Sequence, residues 1–374
     1  LNVGHQRHYS TLYATALEML ENGILGDIKH IRALWHRNNS WPYDPKAFNH
    51  EKFDAKYGIP AYVDSWWKEV PKRDAEAFEK LSPEQLNAIA FGDRDKHGFK
   101  DAAELVRWRC SEKCGGGLMA ELGSHQLDAS SIILGHVHPL AVSGIGGKFF
   151  YGPGRNDRES DDGVFVTYEF PGPNHPMGAK KGKDESDIVI VTYSSFNTNS
   201  FEDYGECVMG SRGTMILSKE AEVYLYKEPE PGKAASGGRD TKVTVGTGGG
   251  KEPAMVATST WGGGGGAAIS KAPGAGAWDT AVRGYRTEME HFAYCLRKWQ
   301  ELKQPVSYEK ASDGHGLKHA DIMPRCHGEV AMADAILALT ANMAMAKKER
   351  IVFEEDWFKP ESAEVPETKH AKKA

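Results

Sequence analysis

Three residues that could exchange protons or bind a ligand lie close together in segment 115–128. Glu121, His125 and Asp128 are separated by four and three positions, which places them on one face of a helix. Histidine titrates near neutral pH, and a carboxylate within hydrogen-bond distance raises its pKa by favouring the imidazolium. We therefore expect His125 to exchange a proton with a substrate hydroxyl, and Glu121 to tune its pKa.

Two other interpretations of these residues stay open. Glu121 and His125 are also spaced as an ordinary helix pair, worth about 0.3–0.5 kcal/mol. A metal site would need a fourth ligand, and the sequence offers none at a recognisable spacing. Cys110 and Cys114 also lack the matching pair or His cluster that zinc requires. We therefore expect no metal site.

A helix must present these residues, and the sequence predicts one over 118–134, directly after the three glycines at 115–117. Upstream of it, the first 35 residues predict a strand at 1–5, a helix that Ser10 caps and Gly23 ends, and a strand at 27–35. The face of the 118–134 helix opposite the polar residues is apolar and consists of Leu118, Leu122, Ile132 and Ile133.

Residues 138–260 change to short strands separated by turn residues, which is typical of a mainly antiparallel sheet. Helices at 281–300 and 326–346 are expected to cover one face of it. The fold class is therefore α+β, with a large, mainly antiparallel, mixed β-sheet covered on one face by helices. The predicted strands are 140–151, 163–171, 187–196, 203–209, 213–218, 222–226 and 241–245.

Two further regions differ in composition from the rest. Residues 38–108 are rich in aromatic and turn-forming residues and are interpreted as an insertion beside a site, where rings either pack together or stack on a sugar. Residues 231–277 are rich in Gly, Ala and Ser and are interpreted as a surface loop.

Composition excludes several classes of partner. The 374 residues have a formal net charge of -6 and scattered Lys and Arg, so we expect no nucleic-acid partner. No run approaches the roughly 18 apolar residues of a membrane helix, so we expect no membrane partner. The five dispersed cysteines favour free thiols and a cytoplasmic location. The start at Leu1 suggests a chain entered mid-strand, and a signal peptide upstream would make the protein an exported one instead.

The pattern Gly-Gly-Gly-x-x-x-Glu-x-x-x-His-x-x-Asp at 115–128 resembles the catalytic helix of the glucose–fructose oxidoreductase and inositol dehydrogenase family (Gfo/Idh/MocA). In that family an acidic residue, often Asp, precedes the catalytic His by four positions, and Glu121 fills this place. Segments 3–9 and 23–28 resemble the family's passage from its Rossmann domain into its second domain. The resemblance therefore implies that this chain is the C-terminal domain of such a dehydrogenase.

The resemblance also implies roles for residues and regions. His125 and Glu121 are the expected catalytic residues. Residues 1–26 would be the end of a dinucleotide-binding Rossmann domain, 27–355 the substrate-binding and oligomerisation domain, and 356–374 a tail. The expected substrate-binding residues are Arg7, Arg107, Trp108, Arg109 and Asp128.

In function, the resemblance implies an NAD(P)-dependent oxidoreductase that acts on a sugar or polyol hydroxyl and forms a homodimer or homotetramer through its sheet face. Alternatives are an NAD-dependent glycoside hydrolase of the same family and a non-catalytic sugar-binding or assembly module. The cofactor would be NAD or NADP in the intact protein. The family's glycine fingerprint and Glu-Lys-Pro motif are not present in this sequence, so its cofactor-binding residues are unknown.

These absences generate a prediction for residues 1–374. We expect the isolated chain neither to bind NAD(H) tightly nor to oxidise a sugar, because the expected phosphate-binding glycines are missing. A fluorescence titration with NADH checks this expectation, and saturable binding would contradict it.

Overall fold

One large sheet with helices packed against it forms the described part of the chain. The computed structural model describes residues 1–37, 115–150, 159–228, 240–246, 254–259, 283–302 and 322–370. The predicted aromatic insertion and Arg107, Trp108, Arg109, Cys110 and Cys114 lie outside these residues.

The strands are β1 Ile28–His36, β2 Ala141–Gly147, β3 Gly163–Pro171, β4 Ile188–Phe196, β5 Tyr204–Gly210, β6 Gly213–Ser218, β7 Glu222–Lys227, β8 Asp240–Gly246, β9 Ala254–Ser259 and β10 Ile351–Val352. The α-helices are α1 Thr11–Glu21, α2 Ser124–Leu134, α3 Tyr285–Leu302, α4 Gly328–Lys347 and α5 Pro366–His370. The described ranges also contain two 3-10 turns, Gln6–Tyr9 and Glu355–Phe358, and a π turn, Met119–Gly123.

The sheet is mixed, as the sequence predicts. Its strands follow the order β10-β2-β3-β4-β1-β5-β6-β7-β8-β9. Among the described strands, β1 and β4 pair in parallel and the other eight pairs are antiparallel. The α+β fold class with a mainly antiparallel sheet is therefore confirmed.

Period-two alternation explains why the strands could be predicted. In β3, Val164, Val166, Tyr168 and Phe170 are buried, while Phe165 is 45% exposed on the opposite face. The predicted bounds of β3 and β6 match the structure, and those of the other predicted strands shift at their ends. Within the region predicted as a loop, β8 was predicted as a strand at 241–245, whereas β9, which pairs with it, was not, because its glycine-rich surroundings masked the strand pattern.

The predicted strand at 1–5 is wrong. These residues form no strand; the Val3 amide donates one hydrogen bond to the Cys326 carbonyl (3.1 Å), and the Gln6–Tyr9 turn follows. The helix prediction after it is confirmed. Ser10 accepts a hydrogen bond from the Tyr13 amide (3.4 Å) at the start of α1, and Gly23 with φ +72° follows its end.

Helix α4 packs on β2 and on α2. Its inward residues are small, so the backbones approach closely: Ala338, Ala341 and Ala344 are fully buried. By length and composition, α4 is also the one helix in the described ranges that could cross a membrane, a property that core helices share. Helix α3 packs mainly on the Gln6–Tyr9 turn, which differs from the predicted cover of the sheet.

The two ends of the described chain join the same core. Leu12 and Tyr13 of the predicted Rossmann remnant belong to it, as do Trp357 and Phe358 of the predicted tail. The domain boundaries at 26 and 355 stay predictions.

A π turn begins the helix that was predicted as regular over 118–134. Its wider i→i+5 hydrogen bonding means that regular helical spacing does not hold across Met119–Gly123. Gly123 closes this turn against β4. A Cβ atom at Gly123 would lie 3.0 Å from the Leu118 carbonyl oxygen and 3.0 Å from the Tyr193 ring.

We predict that Gly123→Ala destabilises the fold by about 1–3 kcal/mol. Alanine normally stabilises a helix relative to glycine, but here Tyr193 is buried and its hydroxyl donates to the Leu118 carbonyl (3.3 Å), so neither group can retreat. Urea unfolding followed by circular dichroism measures the change. Gly4→Ala is the control, because nothing lies within 4 Å of its Cβ position; equal stability of the two variants would contradict the prediction.

Candidate functional site

His125 lies in the first turn of α2 and is half-buried. Its ring centroid is 4.9 Å from that of His5 and 6.2 Å from that of Trp35. Trp35, at the end of β1, stacks on Tyr204 with centroids 4.5 Å apart. The imidazole therefore lies beside a pair of stacked, half-buried aromatic rings.

The electrostatic environment of His125 is opposite to the predicted one. Burial, followed by the nearby positive charges of Arg7 and His5, lowers the pKa of His125 to about 3. Asp128 opposes this shift, but the net direction is downward. Our expectation that Glu121 raises the pKa of His125 is therefore wrong.

The position of Glu121 gives the reason. Its carboxylate lies 3.5 Å from the Arg37 guanidinium, and both side chains are partly exposed. Because Glu121 belongs to the π turn and His125 to α2, their separation of four residues does not make them a regular helix pair. The catalytic role assigned to Glu121 stays a prediction.

Arg7 is buried, with 1% of its surface exposed. Its Nε donates to Glu220 (3.0 Å), and its Nη1 lies 3.3 Å from Glu206 and donates to the backbone carbonyl of His125. Tyr13 donates a short hydrogen bond to Glu206 (2.6 Å). The guanidinium thus holds the α2 backbone at His125, and its predicted contact with substrate stays a prediction.

In this cluster the Arg7 guanidinium faces the carboxylates of Glu206 and Glu220, and the excess negative charge helps to raise the pKa of Glu206. Burial raises the pKa of Glu206 to about 7, while Arg7 and the Tyr13 hydroxyl oppose the shift. Removal of Arg7 would therefore leave Glu206 and Glu220 without their cation.

Asp128, predicted to bind substrate, is fully buried. Its Oδ1 lies 2.6 Å from His8 Nε2 and 3.7 Å from His5 Nδ1. His5 Nδ1 is also 3.0 Å from Asp334 Oδ2, on α4. Asp128 is thus in contact with the first segment of the chain and with Asp334 on α4, and its role in substrate binding stays a prediction.

Sequence reasoning missed several residues of this site: His5, His8, Trp35, Cys326 and Asp334. The sequence could have indicated two of them, because His5 and His8 lie three positions apart, at helical spacing, on either side of Arg7. The sequence could also have indicated Asp334, because an acidic residue within the apolar stretch 330–346 is rarely buried without a partner.

Comparisons with known proteins bear on this geometry. The family described as "Oxidoreductase family, C-terminal alpha/beta domain" (Gfo/Idh/MocA) matches residues 84–313, well over half of the chain, including Glu121, His125 and Asp128. No curated protein matches the sequence.

Solved structures resemble the fold at low sequence identity. An inositol dehydrogenase homologue from Azotobacter vinelandii, complexed with NAD+, is 12% identical with a TM-score of 0.50, and the match covers 94% of this chain and 64% of that one. A levoglucosan dehydrogenase in complex with NADH and levoglucosan is 14% identical with a TM-score of 0.46, covering 94% and 65%. The super-repressor mutant of Gal80p from Saccharomyces cerevisiae is 9% identical with a TM-score of 0.46, covering 94% and 64%. This chain therefore spans just under two thirds of the length of these structures.

The buried position of Arg7 generates a stability prediction. Arg7→Leu should lower the free energy of unfolding by about 3–5 kcal/mol, since it leaves two buried carboxylates without their cation. Arg32→Leu is the matched control, because the Arg32–Glu202 pair has side chains 42% and 35% exposed and is worth about 0–1 kcal/mol. Denaturant unfolding compares the two, and similar losses in both variants would refute the prediction for Arg7.

Proposed function

Because this chain belongs to the Gfo/Idh/MocA oxidoreductase family, we propose that it supplies the substrate-binding and proton-transfer part of an NAD(P)-dependent oxidoreductase that acts on a sugar or polyol hydroxyl. One observation carries the proposal: the half-buried imidazole of His125 lies on the helix covered by the family match, beside the Trp35–Tyr204 ring pair.

The ring pair is suited to a sugar or polyol. Aromatic faces pack against the apolar C–H faces of sugars, and Trp35 is half-buried on the side of the sheet that His125 faces. In solved structures, an inositol dehydrogenase homologue from Azotobacter vinelandii is complexed with NADH and myo-inositol, and levoglucosan dehydrogenase is complexed with NADH and levoglucosan.

His125 takes the hydroxyl proton of the substrate in this proposal. Its ring nitrogen would accept a hydrogen bond from the hydroxyl that is oxidised, and the Arg7 contact to its backbone carbonyl holds the helix in place. General base catalysis of this kind typically contributes about 10²–10⁴-fold to the rate.

The described residues do not themselves form a dinucleotide site. A dinucleotide fold needs a glycine-rich turn between a parallel strand and a helix. The one parallel pair among the described strands is β1 with β4, and within the described ranges no glycine-rich turn leads from either strand into a helix. We therefore derive no step through NAD(P) and assign this chain only the sugar contacts and the proton.

Self-association through the sheet also stays a proposal. The outer face carries exposed apolar side chains on adjacent strands, Ile145 of β2 and Phe165 of β3, which are 68% and 45% exposed. Such residues are typical of a surface covered by a second copy.

The proposed function is tested by activity assays on protein expressed from the complete coding sequence. We expect NAD(P)H to accumulate with one or more members of a panel of free sugars and polyols, and His125→Asn to lower kcat about 10²–10⁴-fold. His138→Asn is the matched control, because this ring pairs with Glu355 at the surface and stacks on Phe358.

Other outcomes would contradict the proposal. Release of a sugar from a glycoside without net change in the cofactor would indicate a hydrolase. Sugar binding without turnover would indicate a binding module. An unchanged kcat in His125→Asn would remove His125 from the proton step.

A further inference from the structure

Four potential metal ligands converge where three separate segments meet. They are the imidazole Nδ1 of His5, the thiol of Cys326 and one carboxylate oxygen each of Asp128 and Asp334. These four atoms lie within 4.8 Å of one another. The side chains come from the first segment of the chain, from α2, from the residues before α4 and from α4 itself.

The spacing is close to that of a tetrahedral site. Bonds of about 2.0–2.3 Å from zinc to nitrogen, oxygen and sulfur place the ligand atoms roughly 3.3–3.8 Å apart. His5 Nδ1 already lies 3.0 Å from Asp334 Oδ2. Shifts of under about 1 Å in the side chains would complete the geometry.

Burial makes this donor set unusual. His5 is 6% exposed, Asp334 is 2% exposed, and Asp128 and Cys326 are fully buried. Two carboxylates in one dry cluster require cations, because an uncompensated buried charge costs several kcal/mol.

Protonated imidazoles alone could neutralise the carboxylates, but they would leave two features unexplained. Asp128 Oδ2 is buried and has no hydrogen-bond partner in the described ranges. Cys326 contributes a buried free thiol in contact with both His5 and His8. A metal ion would give Asp128 Oδ2 a partner and would bind the sulfur as a thiolate.

We propose that His5, Asp128, Cys326 and Asp334 bind one divalent transition-metal ion of the Zn²⁺ type. Imidazole, thiolate and carboxylate ligands together favour zinc and disfavour Mg²⁺ and Ca²⁺, which prefer oxygen ligands. His8, whose Nε2 is 2.6 Å from Asp128 Oδ1, holds that carboxylate in position.

Binding releases protons, since the ion takes Cys326 as the thiolate and His5 as the neutral imidazole. Four protein ligands close the coordination shell, which is typical of a structural rather than a catalytic zinc site. The ion would tie the first segment and α4 to α2, the helix that carries His125.

The test measures metal directly and does not depend on activity. The chain is purified, stripped with a chelator, reconstituted with Zn²⁺ and desalted, and its zinc is measured by mass spectrometry. We expect one Zn²⁺ per chain. Reconstitution with Co²⁺ should give the near-ultraviolet thiolate-to-cobalt absorption of a Co–S bond. Absence of bound Zn²⁺ from the folded wild-type chain, or a Co²⁺ form without this band, would overturn the proposal.

Single substitutions test whether the metal binds at these four residues. Cys326→Ser should lose the thiolate-to-cobalt band, and Asp334→Asn should weaken Zn²⁺ binding at least tenfold. Cys295→Ser is the matched control, because Cys295 is another buried free thiol, on α3 beside His291, and it should keep one Zn²⁺ and the band. Retention of the band in Cys326→Ser, or its loss in Cys295→Ser alone, would place the metal elsewhere. Should Cys326→Ser fail to fold, the wild-type spectrum and Asp334→Asn decide the question.

Discussion

The buried guanidinium of Arg7 is the constraint on which the site depends. A charge removed from water needs anionic and hydrogen-bond partners, and Arg7 finds them in Glu220, Glu206 of β5 and the carbonyl of His125. These partners lie on the sheet side and on α2, so one side chain from the first segment links both layers. The orientation of α2 over the sheet follows from this link together with the apolar packing of α4.

The buried Arg7 guanidinium also affects the protonation state of His125. Its imidazole is half-buried, and the adjacent positive charge of Arg7 disfavours a second cation. A neutral imidazole can accept a hydrogen bond from a hydroxyl and so orient it, whereas the low pKa opposes full transfer of the proton to the ring. Trp35 and Tyr204 place aromatic surface beside the ring, against which an apolar ligand face can pack.

Helix α2 is therefore held at two places. Arg7 contacts its backbone at His125, and His8 contacts its side chain at Asp128. Both contacts come from the Gln6–Tyr9 turn, so this turn and α2 form one polar unit inside an otherwise apolar core. Asp334 and Cys326 extend the unit to α4, which explains why a largely apolar helix retains one buried acidic residue.

The sequence by itself determined the elements whose patterns are local. The alternation in β3, the Ser10 cap of α1 and the glycine-flanked pattern at 115–128 each depend on neighbouring residues, and these identified the strands, the helix and the family. Only the tertiary structure decided the partners of the polar residues. Arg37 lies beside Glu121, and Asp128 meets Asp334 across more than 200 positions, because such contacts depend on how the elements of the fold pack together. No periodicity in the sequence predicts that packing, since the partner of each of these side chains lies far from it in the sequence.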